Sequence, residues 1–308
     1  MVNVFLRIER DAIAGDGEAS VNAYYGENTA DVVAKLMGMK NFLDSRAIES
    51  PAGIAAIWEE AWPLLAPSRA AQCALDLALW DWLGKRENRT VAELALGEKP
   101  RPVVSFATIG LSAPEELDMK IAELAGFPRI KIKSDLTADL SLPARVRVAM
   151  PEARIAIDAN CAWPNVDLAR ISAELSALDL DFIEQPFPPS DLRIPALPLP
   201  VIADESCATL EDLARLPSHF AGFNIKLVKC GGLTPALRMA RNARGLKTMV
   251  GCMLESSLLI GAGAVVAQLT DYADLDGAWL LSDDPAQACS FNRGILTSSP
   301  RPGLGAIL

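Results

Sequence analysis

Acidic and lysine residues recur through the middle of this chain, each at the end of a short apolar run. The runs are RIKIKSD with Lys131 and Lys133, RIAIDAN with Asp158, DFIEQP with Glu184, VIADES with Asp204 and Glu205, FNIKLVK with Lys226, MVGCMLES with Glu255 and ADLDG with Asp274 and Asp276. Three carboxylates gathered in one buried place cost several kcal/mol per unpaired charge, so convergent Asp158, Glu184 and Asp204 require a counter-ion. All-oxygen ligation, with no His or Cys in the set, suits a hard ion such as Mg²⁺. Cys161, Cys207 and Cys230 fall nearby, but soft thiols are poor Mg²⁺ ligands and read as packing residues. Lys133 precedes the acidic set and Lys226 follows it, so the two would face each other across a substrate and exchange a proton on either side. An amine is a useful base near neutral pH only if a neighbouring cation lowers its pKa, and Lys131 and the metal both supply such a charge. A carbon acid next to a carboxylate is very weak, and a Mg²⁺ Lewis acid with a lysine clamp gives the stabilisation that its enediolate needs.

A repeating element must bring these residues together. Each run is about four to six residues long and rich in β-branched side chains, and about 20 to 30 residues separate one from the next, the length of a strand plus a crossover helix. That is the rhythm of a parallel β/α barrel, in which the carboxyl ends of all strands meet at one mouth. Singly, each motif has a plainer reading: KIK as an edge strand with lysines in water, DAN and DES as helix N-caps, EQP as a turn. Their conjunction favours a shared site. Strands are expected near 103, 129, 153, 180, 201, 222, 247 and 273, with VVSFATIG as the first. Thr108 on that strand and Glu255 near the seventh are further candidates for contact with substrate.

Residues 1–98 lack the alternation and read as an α+β capping domain. VNVFLRIE and GEASVNAYY form a hairpin with AGDG as its turn, and helices follow. SRAAQCALDLALWDWLGK repeats Leu75, Leu79 and Leu83 at helical spacing, with Gly84 as its stop. The barrel is expected over 99–284, and the tail from about 285 to 308, ending PRPGLGAIL, returns to complete the first domain. APEELDMKIAELAG reads as a well-capped helix, and TPALRMARNARG has proline near its start and glycine at its end. Two connections are less regular: Pro143 interrupts the segment after Lys133, and DLRIPALPLP holds too many prolines for an ordinary helix.

With 308 residues, 51% of them hydrophobic, the chain can bury a large core. A net charge of −10 with no Lys/Arg cluster provides no electrostatic footprint for nucleic acid. Six scattered cysteines with no CxxC, and His219 as the single histidine, fit reduced thiols in a cytoplasmic protein. Charges at Arg7, Glu9, Arg10 and Asp11 interrupt any signal-peptide apolar region. SSLLIGAGAVVAQL is too short to cross a bilayer and reads as a barrel helix. The expected partner is a small molecule rather than nucleic acid or membrane, and a homo-oligomer is left open.

KIK, IDAN, IEQP, ADES and NIKLVKCGG, in this order and spacing, resemble the enolase superfamily and within it the muconate lactonizing enzyme subgroup. ALDLALWDWLGK is similar to a helix of that family's first domain, so the resemblance covers nearly the whole chain. It implies an α/β architecture, a modified TIM barrel (β/α)7β carrying an α+β capping domain. It also implies one Mg²⁺ held by Asp158, Glu184 and Asp204, Lys133 and Lys226 as the acid/base pair, and Lys131 steadying the substrate carboxylate. Asn160 and Glu205 match motif positions that need not touch the metal. DLDG followed by AWLL resembles the Asp-x-Asp motif of dipeptide epimerases such as L-Ala-D/L-Glu epimerase, whose aspartates grip the free ammonium of the dipeptide. Asp274 and Asp276 alternate with Leu275, so both can point the same way. The implied activity is a Mg²⁺-dependent 1,1-proton transfer at the carbon α to the carboxylate of a dipeptide.

Two alternatives stay open. An N-acylamino acid racemase or o-succinylbenzoate synthase uses the same metal and lysine set but has no reason to carry an ammonium-binding Asp pair. A catalytically impaired homologue would bind a small ligand or act in an assembly without turnover. Family members begin with an additional strand and a mobile loop over the site. This chain opens at what resembles the second strand, so an N-terminally shortened cap and a more open site are expected. After Asp158 the chain reads DANCAW, with Cys161 and Ala162 where the family pattern has Gln and Gly, and a changed loop geometry is expected there.

Overall fold

A computed structural model describes residues 2–191 and 193–308. The chain opens with β1 (Val2–Arg10), paired antiparallel along its length with β2 (Ile13–Val21). Helices α1 (Thr29–Met37), α2 (Lys40–Asp44), α3 (Pro51–Leu65), α4 (Arg69–Arg86) and α5 (Val91–Leu96) follow. Their starts are chemically marked. Asn28, Ser50 and Ser68 accept backbone N–H groups of the first turns of α1, α3 and α4, and Thr90 with Glu93 forms a reciprocal capping box on α5.

The hairpin turn differs from the expected one. Asp11 and Ala12 make it, with φ of 53° and 60°, and AGDG lies inside β2. Its glycines serve close packing instead: a Cβ on Gly15 would stand 2.3 Å from Ala78 O, and one on Gly17 1.9 Å from Ala74 O, both on α4. Gly84 likewise is not the stop of α4, which runs on to Arg86. A Cβ there would lie 2.6 Å from Gly303 Cα, so the missing side chain admits the C-terminal tail. That tail is tied down by Gly303 N to Arg89 O (2.9 Å), Val91 N to Gly303 O (2.9 Å) and Leu304 N to Asp81 Oδ1 (2.7 Å).

VVSFATIG is not one strand. Val103–Val104 forms β3, in a separate sheet, and Ala107–Ile109 forms β4, the first strand of the barrel. The remaining elements are α6 (Pro114–Glu123), β5 (Arg129–Lys133), α7 (Ser141–Ala149), β6 (Arg154–Asp158), α8 (Leu168–Ala177), β7 (Leu180–Glu184), β8 (Val201–Ala203), α9 (Leu210–Arg215), β9 (Gly222–Lys226), α10 (Leu227–Cys230), α11 (Leu233–Arg241), β10 (Lys247–Gly251), α12 (Ser257–Val266), β11 (Tyr272–Asp274), β12 (Cys289–Asn292) and β13 (Ile295–Ser298). Strands β4 to β11 lie in chain order in one parallel sheet. Phe106 N donates to Ala273 O at 2.8 Å and brings the first strand against the last. The outer strands β12, β13 and β3 make a small antiparallel sheet.

Helices cover the barrel, with local departures from expectation. Pro143 does not interrupt α7 but sits in its first turn, where its missing N–H has no intrahelical partner to lose. α6 has Ala113 at its N-cap and so lacks the side-chain cap expected of it. Between β7 and β8 no helix is present among the described residues, in keeping with the prolines of DLRIPALPLP; Leu192 of that segment lies outside the described residues. The apolar run after Glu255 is α12, buried throughout. No described helix is long and apolar enough to cross a membrane.

Candidate active site

Alternate residues of a barrel strand face the interior, and this period of two builds the site in layers. The lower layer is apolar: Phe106, Ala156, Phe182, Ile202 and Met249 are fully buried together, with Tyr272 packed against them. Phe182 and Tyr272 rings lie 5.0 Å apart and Phe106 and Phe182 5.8 Å apart, a stopper across the bottom of the barrel. Two residues further along β6, β7 and the β8 strand end come Asp158, Glu184 and Asp204, all with no exposed surface. The intervening Ile155, Ile157, Ile183, Phe223 and Ile225 belong to the larger core that the helices close.

Lysines stand among these carboxylates. Lys133 Nζ donates to Asp158 Oδ2 at 2.6 Å and to Asn160 Oδ1 at 2.7 Å. Lys226 Nζ donates to Asp204 Oδ2 at 2.8 Å. Lys131 hydrogen-bonds to Asp274, and its Nζ lies 3.4 Å from Asp158 Oδ2 and 3.5 Å from Glu184 Oε2. Burial works against the Lys131 ammonium, but Asp274, Glu184 and Asp158 outweigh it and raise its pKa well above the usual lysine range. Lys226 is raised in the same way, with Asp204 and Glu184 outweighing burial, the reverse of the lowering expected of a base; a divalent cation held by those carboxylates would offset the charge that raises it. Glu184 is pushed up to about 8, first by burial and then by the charge of Asp158.

Among the described residues no three acidic, Cys or His groups form a ready cation cage. Ammonium groups occupy the centre instead, with Lys131 bridging Asp158 and Glu184. The donor set nevertheless fits a hard divalent cation. It is all oxygen, it is already organised around positive charge, and buried Glu184 beside Asp158 is short of that charge.

At the end of β11, Asp276 Oδ2 accepts Thr108 N at 2.7 Å, and the Thr108 side chain also hydrogen-bonds Asp276. Burial and the charge of Asp274 push Asp276 up to about 6. Asp274 Oδ1 is buried without a hydrogen-bond partner. Glu255 does not join this group in the cleft. Its Oε1 accepts Met253 N at 2.9 Å behind the wall, and burial pushes it up to about 8. Glu205 does face the cleft, with Oε2 unpartnered.

The loop after Asp158 tolerates its unusual residues for visible reasons. Asn160 and Cys161 take φ of 41° and 65°, whereas Ala162 does not need the left-handed region and so needs no glycine. Asn160 N donates to Asp158 Oδ1, Cys161 N to Gln185 O and Ala162 N to Ala159 O, at 2.9, 2.8 and 2.7 Å. Above this loop a 3-10 turn, Ala23–Tyr25, brings Tyr24 and Tyr25 from the end of β2 to the mouth. The result is a cleft of about 370 Å³ whose wall includes Lys131, Lys133, Asn160, Glu205, Lys226, Asp274 and Asp276.

Residues 116–308 match the family described as Enolase C-terminal domain-like, and residues 2–97 match the mandelate racemase / muconate lactonizing enzyme N-terminal domain. The chain belongs to the enolase superfamily. Within it, an L-Ala-D/L-amino acid epimerase of Flavobacterium johnsoniae is 34% identical over 99% of this chain and 92% of its own length. The L-Ala-D/L-Glu epimerase of Escherichia coli is also 34% identical, over 95% of this chain and 90% of its own. A dipeptide epimerase from Methylococcus capsulatus, complexed with Mg and the dipeptide L-Arg-D-Lys, superposes with a TM-score of 0.90 at 31% identity, covering 99% of this chain and 92% of that one.

Several members of this enolase-superfamily site escaped the sequence reading. Lys229 Nζ, wholly buried, donates to Asp204 O at 2.6 Å and also to Asp204 Oδ1. Gln185 Oε1 accepts Asp204 N at 2.8 Å and so joins the ends of β7 and β8. Asn224 Nδ2 donates to Glu184 Oε1 at 2.7 Å. Asn224 was findable, because it stands two residues before Lys226 on the same strand face.

Proposed function

We propose that this chain is a Mg²⁺-dependent dipeptide epimerase that moves the α-proton next to the substrate carboxylate. The observation that carries this reading is the position of the two lysines. Lys133 ends β5 and Lys226 ends β9, four strands apart in the order of an eight-stranded barrel and hence on opposite sides of one mouth. Asp158, Glu184 and Asp204 end the strands between them. These carboxylates would hold Mg²⁺, which supplies Lewis-acid stabilisation of the charge that develops on the substrate carboxylate.

The protein's own groups do the rest. Lys133 and Lys226 take and return the proton on opposite faces of the α-carbon, and Asn160 orients Lys133. Lys131 holds the substrate carboxylate. Asp274 and Asp276 bind the free ammonium, with Thr108 fixing Asp276. Glu205 lies beside the ligand set rather than in it. We assign residues 1–98 with 285–308 to the cap and 99–284 to the catalytic barrel. All six cysteines are free, which supports a reducing, cytoplasmic setting. The relatives named above support the dipeptide substrate, and the Mg in one of them supports the ion.

The test is α-proton exchange with D₂O on a panel of dipeptides, followed by mass spectrometry, before and after chelation. Exchange that is lost on chelation and restored by Mg²⁺ is expected. Full exchange in metal-free protein, or none with any dipeptide, would overturn the reading.

A further inference from the structure

The cleft has a charged floor and an uncharged rim. Its cations among the described residues are Lys131, Lys133 and Lys226, each already paired on the floor with Asp274, Asp158 or Asp204. The rim is built of Tyr24, Tyr25, Met253, Leu254 and Leu280. Leu254 and Leu280 leave 40% and 47% of their surface in solvent, and large apolar side chains gathered at the mouth of a polar pocket mark a contact surface for a ligand. Tyr24 and Tyr25 meet edge to face with ring centroids 5.0 Å apart. Among the described residues the ionisable group that the wall adds beside the lysines is the carboxyl of Glu205.

A side chain on the α-carbon between Lys133 and Lys226 cannot point down. Asp158, Glu184 and Asp204 fill that space, and the aromatic stopper lies beneath them. It must leave toward the rim, where it meets rings and aliphatic chains. Among the described residues no cation there would pair with a carboxylate, and the carboxyl of Glu205 offers it no partner of opposite charge. A lysine side chain would lose hydration among the rings for a single, largely buried partner. We propose that this chain prefers dipeptides whose epimerised residue carries an apolar or aromatic side chain over those in which it is acidic or basic. The inference rests on the epimerase reading above.

The experiment compares kcat/KM for L-Ala-L-Phe, L-Ala-L-Leu, L-Ala-L-Glu and L-Ala-L-Lys with Mg²⁺ present, using epimerisation and D₂O exchange together. The apolar pair should exceed the charged pair by about tenfold or more. Tyr24→Lys, at a residue 61% exposed, should narrow the gap between L-Ala-L-Phe and L-Ala-L-Glu several-fold by placing a cation on the rim. Exchange with equal or greater kcat/KM for L-Ala-L-Glu or L-Ala-L-Lys overturns the preference and leaves the epimerase reading standing. A gap unchanged in Tyr24→Lys overturns the rim as the source of the preference. Absence of exchange with every dipeptide overturns both.

Discussion

Lys131 and Asp274 hydrogen-bond to each other across the seam where the barrel closes, each with only 3% of its side chain exposed. One residue is assigned to the carboxylate of a dipeptide and the other to its ammonium. Under that assignment a zwitterionic dipeptide would replace an internal ion pair with two ion pairs of its own. A ligand with only one charged end would strand the other member of the buried pair, which is costly.

N-acetylation of the dipeptide should consequently lower kcat/KM. Asp274→Asn and Asp276→Asn should each remove a charge-assisted contact, a loss of about tenfold to a hundredfold with free-amine substrates. The same substitutions should matter much less to acetylated substrates. Both substrates measured on wild type and both variants form a cycle whose coupling identifies the ammonium partner. Equal turnover of N-acylated and free dipeptides by the wild type would transfer the assignment to an N-acylamino acid racemase.

Replacing either Lys133 or Lys226 with Ala should stop epimerisation. The surviving lysine should still exchange the α-proton of one stereoisomer with D₂O, so residual exchange should divide by configuration. Equal residual exchange of both isomers in one variant would indicate a single base.

Lys229→Met should act through Asp204. The lysine holds both a carboxylate oxygen and the carbonyl of that residue, so its loss would free a proposed metal ligand without touching substrate. The Mg²⁺ concentration giving half-maximal activity should rise about tenfold to a hundredfold. Isothermal titration with Mg²⁺ alone should report the same weakening, whereas a fall in activity at unchanged Mg²⁺ affinity would refute this role.

Asp76 links the cap helix α4 to the barrel by accepting Thr234 N at 2.8 Å and Thr234 Oγ1 at 2.6 Å. Burial pushes its pKa up to about 7. An exposed aspartate loses its proton near about 4, so folding takes up a proton between those values. The resulting stability is full below about pH 4 and is lost as pH rises through about 7. Asp76→Asn carries no such proton, and urea unfolding from pH 4.5 to 8 should show the variant gaining on the wild type by a few kcal/mol. A pH-independent difference would refute the assignment.

Charged residues closing apolar runs were legible because a strand writes its inward face as alternate letters, so Lys131 and Lys133 or Phe182 and Glu184 announce a common side. The glycines of AGDG misled because the same residue serves a turn and a close helix contact; only the position of α4 against Gly15 and Gly17 separates the two uses. VVSFATIG misled because one apolar string feeds two sheets, dividing at Ser105, whose N–H pairs with Gly294 O rather than with a barrel strand. Lys229 was hidden in α10, one turn beyond Lys226, where a lysine ordinarily signals solvent. Tyr24 and Tyr25 reach the mouth through a three-residue turn whose direction no local pattern records.

The aromatic stopper makes the barrel interior a cul-de-sac, and the two lysines stand at different depths in it, Lys133 with 26% of its side chain exposed and Lys226 with 6%. Their ammonium hydrogens thus trade with bulk water at unequal speeds. Under the two-base assignment, hydrogen lifted by Lys226 would linger and be handed back more often, while hydrogen lifted by Lys133 would be diluted away. The forward and reverse reactions would then be isotopically lopsided: recovered substrate of one α-configuration keeps its own label, and that of the other takes its label from the solvent.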